Sequence, residues 1–273
     1  MYGINNGGTI SNCYNKVNAE YNITNAEYNE VTNVYFGAGI CGRSTNGIIK
    51  RCYNTGNILG NLKWEWASVN GIAGRSKSTI IEECYNTGNI TGIADFTTHY
   101  EVNHGDANCR ACGIVDELAE NSSMINCYNT GEIKMITKVK GDVTPVASGI
   151  LGQNPGGIIK NCYNAGYTSV VGDGDVSQIR RAAICGCNYY YYNDENSGIK
   201  GEYDDYINCY YLKGTAEYAI GSNYFEDAPE DFKPFVGNVK TSEELKQLYT
   251  TLGDAYKEDT QNINNGYPIF SWQ

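Results

Sequence analysis

The chain has 273 residues and a formal net charge of −11, with 20 Lys+Arg against 31 Asp+Glu. Without a clustered basic patch, that field excludes a phosphate-binding surface and so nucleic acid as a partner. Aromatic residues reach 12%, dominated by 24 tyrosines, which excludes bulk disorder, and no apolar run reaches the ~18 residues of a membrane span.

In chain order, Met1-Tyr2-Gly3-Ile4 has neither a basic nor an apolar signal-peptide region. Gly3-Ile4 already opens a repeat unit, so a cut within a longer, anchored chain is expected. The repeat itself is Cys-Tyr-Asn, at Cys13, Cys52, Cys84, Cys127 and Cys162, with a degenerate Cys209-Tyr210-Tyr211. The cysteine intervals of 39, 32, 43, 35 and 47 residues combine a fixed part with a variable loop. Three residues before each of the first five cysteines stands Ile10, Ile49, Ile81, Met124 or Ile159. After the Asn come Gly56, Gly88, Gly131 and Gly166, and upstream lies Gly-Ile-x-Gly, as in Gly39-Ile40-Cys41-Gly42 and Gly71-Ile72-Ala73-Gly74.

Each unit reads as three short strands separated by Gly or Asn turns, too small to bury its own inward face. Stacked on copies of itself it can, which predicts an all-β, parallel β-helix (β-solenoid) of about six coils, the first partial. In register, identical residues lie ~4.8 Å apart. Cys13, Cys52, Cys84, Cys127, Cys162 and Cys209 would form one interior column of small hydrophobes, without disulfides, because stacked Cβ atoms do not converge to the required ~3.8 Å. Tyr would stack outward. Asn would occupy a left-handed turn, and the glycine two residues later would supply positive φ.

Residues 1–222 are expected to form the helix of repeats and 223–273 a C-terminal cap. Within the cap a helix is predicted at 241–252: Thr241 and Glu244 have capping-box spacing, Leu245, Leu248, Tyr249 and Leu252 share a face, and Gly253 stops it. With Tyr267, Phe270 and Trp272, this helix would close the exposed solenoid end.

The Gly-Ile-x-Gly block, the Gly-x-Ile-x-x-Cys-Tyr-Asn-x-Gly-x-Ile unit and the tail Asn264-Asn265-Gly266-Tyr267-Pro268-Ile269-Phe270-Ser271-Trp272-Gln273 together resemble the GLUG-type repeats of bacterial, Firmicutes-type surface proteins. The resemblance implies a right-handed parallel β-helix in a secreted, adhesin-like cell-surface protein. It extends to peptidases that cleave immunoglobulin A, where such repeats lie outside the catalytic domain. The chain departs from the pattern in the long insert before Cys209 and in the lost Asn there.

The candidate sites are few. His99, His104, Cys109 and Cys112 would suit tetrahedral zinc, with Glu101 and Asp106 beside them. Their spacing is not that of a standard finger, and Cys112 directly precedes the Gly113-Ile114 strand, which fits a core thiol equally. Asp173 and Asp175, or Asp194, Glu195, Asp204 and Asp205, could hold calcium, although no full ligand loop is present. Trp64, Trp66 and Tyr189, Tyr190, Tyr191 and Tyr192, with Tyr203 and Tyr206, could pack on sugar C–H faces or a host protein, or simply cover the loop bases. Arg180-Arg181 beside Asp173 and Asp175 is the one grouping a polysaccharide lyase or hydrolase could use; no nucleophile or phosphate-loop motif occurs. An extracellular structural or adhesive module without a cofactor is therefore expected, with a carbohydrate-active β-helix enzyme or a non-binding spacer of a surface peptidase as alternatives.

Overall fold

A computed structural model of the protein describes residues 3–23, 36–63, 67–96, 109–138, 145–173, 180–188, 205–221 and 237–273. It is a parallel β-helix of about six coils, partial at both ends. A complete coil holds five short strands rather than three, as in Phe36–Ala38, Cys41–Thr45, Ile48–Lys50, Tyr53–Asn54 and Ile58–Leu62. One of the two extra breaks falls in the Gly-Ile-x-Gly block, at Gly39-Ile40 between Phe36–Ala38 and Cys41–Thr45. The other lies in Cys-Tyr-Asn, where the residue just before each cysteine, Asn12, Arg51, Glu83, Asn126, Asn161 or Asn208, has a φ between 51° and 54°. That kink separates the isoleucine strand from the Tyr-Asn strand.

Stacking puts the strands into four parallel sheets. One is bent and 11-stranded, made from the first two strands of each coil; the isoleucine sheet has six strands, the tyrosine sheet seven and the remaining sheet five. Like pairs with like, for example Ile49 with Ile81, Tyr53 with Tyr85 and Ile58 with Ile90. The interior divides into two apolar columns. One holds Ile49, Cys52, Ile72, Ile81, Cys84, Met124 and Cys127 and their neighbours; the other holds Ile58, Val69, Ile90, Ile133, Met135 and theirs.

Between the columns stands an asparagine ladder. Asn54, Asn86, Asn129 and Asn164 are strand residues with no exposure, which corrects their expected place in a left-handed turn. Each side-chain amide donates to the next: Asn15 to Asn54 at 2.6 Å, Asn54 to Asn86 at 2.7 Å, Asn86 to Asn129 at 2.7 Å and Asn129 to Asn164 at 2.8 Å. The second amide hydrogen reaches the carbonyl of the glycine two residues on, as Asn86 does to Gly88 at 2.8 Å. A buried polar column persists because each amide is satisfied by its copies.

Those glycines do not supply positive φ, again against expectation: Gly56, Gly88, Gly131 and Gly166 are absent from the left-handed residues of the chain. Their reason is space. A Cβ on Gly88 would lie 2.1 Å from the Gly56 carbonyl oxygen, and one on Gly131 would lie 2.0 Å from that of Gly88.

Cys52, Cys84, Cys127, Cys162 and Cys209 are buried, Cys13 is exposed on the first coil, and all 11 cysteines are free. Each thiol curls back across the kinked residue toward the carbonyl two positions earlier, as Cys84 does to Glu82 at 3.3 Å and Cys162 to Lys160 at 3.3 Å. Cysteine therefore fits where serine would be costly: a small apolar body whose weak donor has a local acceptor. Burial pushes the thiols of Cys127 and Cys209 well above the ordinary range, so they stay protonated and inert. In a native thiol titration only Cys13 should react promptly, with all 11 groups appearing on denaturation; prompt reaction of several thiols in the folded state would contradict this packing.

The C-terminal segment corrects the expectation of an end cap. The proposed boundary at 222–223 lies outside the described residues. Asn238–Lys240 pairs with Tyr210–Leu212 and so adds the last strand of the tyrosine sheet. The chain then turns back along the outside of that sheet. The helix expected at 241–252 is two short ones, Ser242–Lys246 and Tyr249–Leu252, although the Thr241–Glu244 capping box is formed. Leu245, Leu248, Leu252, Tyr256 and Phe270 pack on Tyr85, Tyr128 and Tyr163. The tail is a lateral clasp, and it buries the tyrosines expected to face solvent. The stacked rings offer the tail an apolar, aromatic face, on which Phe270 and Tyr256 pack in tilted contact with Tyr128 and Tyr163.

Candidate functional site

Three of the five connections in a coil have nearly constant length, and a fourth, from the bent sheet to the isoleucine sheet, stays short until residues 189–205 separate Arg180–Asn188 from Tyr206–Ile207. Two residues separate the Cys41–Thr45 strand from Phe36–Ala38, and two separate the Tyr53–Asn54 strand from Ile48–Lys50; the same holds at Ala73–Lys77 and Tyr85–Asn86. Length varies at the fifth, where the five-stranded sheet hands over to the bent sheet. The flanking strand ends are Ile23 and Phe36, Leu62 and Ser68, Asp95 and Arg110, Lys138 and Val146, and Asp173 and Arg180. Because these ends stack in register, every one of these insertions departs from the same corner of the solenoid. Backbone ladders hold the other corners in register, and outside this corner a long insertion occurs at 189–205, between the bent sheet and the isoleucine sheet.

Trp64, Trp66, His99 and His104 belong to segments joining these strand ends, and lie outside the described residues, as do Glu101, Asp106 and Asp175. Tyr189 to Tyr192, Tyr203, Asp194, Glu195 and Asp204 also lie outside them, in the connection between the strands Arg180–Asn188 and Tyr206–Ile207. Cys109 and Cys112, by contrast, are described and fully buried, in line with neighbouring coils: Cys112 pairs with Asn70 and Ser148. Among the described residues no group of three or more His, Cys, Asp or Glu side chains is placed to hold a metal ion, and no helix is long and apolar enough to cross a membrane.

The outer surface near the corner is polar and ordered. Asn61 donates to Asn22 at 2.7 Å and to Glu20 at 2.9 Å, and Lys138 faces Asp95 at 3.7 Å. On the bent sheet Arg75 meets Glu117 at 2.8 Å, and Gln153 donates to the same carboxylate at 3.0 Å. Burial raises the Glu117 carboxyl, with Arg75 opposing the shift. Its neighbour Asp116 is turned inside, where it pairs with Arg110 at no exposure. Asp116 and Glu117 are thus adjacent in sequence and separated by the sheet, so the two carboxylates cannot act together on one glycosidic bond. Of the Arg180–Arg181 grouping, Arg181 stands 3.8 Å from Glu217.

Sequence reasoning missed two features. The first is the buried Arg110–Asp116 pair. Its signal was an aspartate at the register position held by Gly42, Gly74, Gly152 and Gly186 in the other coils. The second is the open end of the tyrosine ladder. Ring centroids stack at 5.2 Å for Tyr14–Tyr53, 4.9 Å for Tyr53–Tyr85, 4.9 Å for Tyr85–Tyr128 and 5.0 Å for Tyr128–Tyr163. The clasp reaches only to Tyr53, where Trp272 stands 6.5 Å away. Beyond it Tyr14 is 61% exposed, with the Lys16 ammonium 4.8 Å from its ring centre. This shelf of Tyr14, Tyr53, Trp272 and Lys16 has the rings and the cation that sugar faces and acidic groups favour.

No protein-family model matches the chain, and no curated protein does. Among solved structures, it is similar to a candidate immunoglobulin A1 protease from Bacteroides ovatus, with 16% identity and a TM-score of 0.43, over 94% of this chain and 75% of that one.

Proposed function

We propose that the protein is a rigid presenting module of a GLUG-type bacterial surface protein, whose corner loops contact a glycan or a host surface protein. The observation that supports it is that five variable-length connections leave one corner, above a ladder-locked frame. A scaffold serving only as a spacer has no need to gather insertions, whereas a binding surface needs them side by side. Trp64 and Trp66 sit in the shortest of these connections and alternate with charged residues in Lys63-Trp64-Glu65-Trp66, a pattern suited to packing on sugar rings. The exposed tyrosine shelf offers a second aromatic contact of the same chemistry.

A glycan array probed with the whole chain, together with Trp64→Ala and Trp66→Ala, tests this reading. Binding is expected for the parent protein and a loss of roughly tenfold or more for each variant, on the scale of a lost aromatic anchor. If neither a glycan nor a host surface protein binds, the presenting role fails and the spacer role remains. Turnover of a polysaccharide would instead favour the enzyme.

A further inference from the structure

The two glycine columns of the solenoid each have a direction. A Cβ on Gly56, Gly88, Gly131 or Gly166 would stand 2.0, 2.1, 2.0 or 1.9 Å from the carbonyl oxygen of Val17, Gly56, Gly88 or Gly131, always on the coil toward the N-terminal end. A Cβ on Gly39, Gly71, Gly113 or Gly149 would stand 2.3, 2.1, 1.9 or 2.3 Å from the carbonyl oxygen of Gly71, Gly113, Gly149 or Ala183, always toward the C-terminal end. Each column therefore forbids a side chain wherever another coil lies in register on the side its Cβ faces. The first column terminates in Val17 and the second in Ala183, both of which carry one. The strand beyond Ala183, Tyr218–Ile220, pairs with Arg180–Asn188 only through a shift of register between Ala182 and Cys185.

Val17 keeps the geometry of its column. Asn15 donates to its carbonyl at 2.9 Å, as Asn54 does to Gly56 at 2.8 Å. Asn15 pairs with Asn54 and Ala19 with Ile58, which holds Val17 opposite Gly56. Its side chain consequently projects outward along the solenoid axis and is 69% exposed. The rest of this edge is ready to be extended. The amides of Tyr53, Tyr85, Tyr128 and Tyr163 donate to Cys13, Cys52, Cys84 and Cys127 of the preceding coil, and those of Thr55, Thr87, Thr130 and Ala165 to the preceding Asn. By register the amides of Tyr14 and Lys16 face outward as the next donors, and Tyr14 offers an open ring as the next stacking surface. Unpaired edges of this kind invite other strands.

We propose that Val17 is an end stop: it prevents a further coil of the Ile-x-x-Cys-Tyr-Asn-x-Gly pattern, from whichever chain, from seating in register on this edge. An added coil would have to place a carbonyl oxygen about 2 Å from the Val17 Cβ, a separation that real Cβ atoms essentially never show. Lys16 reinforces the stop, standing where other coils have Thr or Ala, because a lysine on an edge strand opposes pairing through its charge. A side chain in this way blocks in-register extension at this edge.

The test joins a second copy of residues 41–72 ahead of Tyr2 in the full chain, with Val17 kept or changed by Val17→Gly. Alkylation of Cys13, located by mass spectrometry, reports whether the added coil has docked, because the same position in the covered coils is buried. With Val17 present, Cys13 should label as fast as in the unextended protein. With Val17→Gly it should slow by roughly tenfold or more, as expected when labelling must await local opening. Protection of Cys13 with Val17 in place overturns the proposal, as does undiminished labelling with glycine there. The unextended Val17→Gly protein, expected to match the parent in circular dichroism and melting, verifies that the substitution leaves the fold intact.

Discussion

Gly131→Ala should destabilise the protein by about 3 kcal/mol or more, toward the upper end of overpacking penalties, since the obstruction is backbone. The added Cβ would meet the Gly88 carbonyl oxygen at 2.0 Å and its carbon at 2.7 Å, with the Asn86 amide at 3.0 Å. Relief would require two coils to separate, breaking ladder hydrogen bonds on both sides. Gly131→Asn separates this cause from conformational freedom. Asparagine tolerates left-handed backbone, so it would rescue a glycine needed for positive φ, yet it brings the same Cβ to the clash. Both variants should therefore be severely destabilised in urea denaturation. Gly214, with a φ of 89° and open space where a Cβ would stand, should show the other ordering, with asparagine milder than alanine. Near-parental stability of Gly131→Asn would sink the close-approach explanation.

Phe270→Ala should release the clasp while leaving the coils folded, at a cost of about 3–5 kcal/mol for the truncated ring. Phe270 is fully buried, with its ring centre 5.1 Å from Tyr128, 5.0 Å from Tyr256 and 5.4 Å from Trp272. The polar contacts around it depend on the same docking. Tyr163 donates to the Pro268 carbonyl, Asn264 to the Tyr163 hydroxyl at 2.9 Å, and Tyr128 to Gln273 at 3.0 Å. Limited proteolysis should cut the variant within 237–273, and its far-ultraviolet dichroism should keep the β signal. Unfolding of the whole chain together with the tail would show instead that the tail is integral to the solenoid.

Alkali should act on the same contact. Burial is the largest cause holding the phenols of Tyr128 and Tyr163 well above their ordinary range, so the clasped state favours the neutral ring. Their contribution is complete below the unfolded pKa of about 10 and falls as pH rises through the shifted range. Clasp release on raising pH should therefore begin above about pH 10, and earlier for Phe270→Ala.

Much of the solenoid was legible in the residues. Its period, parallel stacking, inward cysteine column and stacked tyrosines follow from one pattern repeated at intervals of 32 to 47 residues. A repeated short unit has few other ways to bury its apolar side. Roles that turn on local geometry were less legible. Asn54 and Gly56 look like turn residues because that is their commonest use, yet one is a buried ladder rung and the other a point of backbone contact. Those uses exist only once coils lie on one another, and the partner of each residue is its own copy some 30 or 40 positions away. Of the candidate sites, the loops could be inferred as places of variable length, but not that five of the insertions share one corner while 189–205 leaves another.

Sequence alone thus determined the repeat, the fold class and the capping box of Thr241 and Glu244, each written in residues close together along the chain. Tertiary structure alone decided where the aromatic tail goes, which tyrosines it hides, and which way each glycine column points. These depend on distances between segments far apart in sequence, such as Tyr163 and Asn264. The physical reason is steric and directional: composition records that a residue has no side chain, and only the assembled coils show what that missing side chain would have struck.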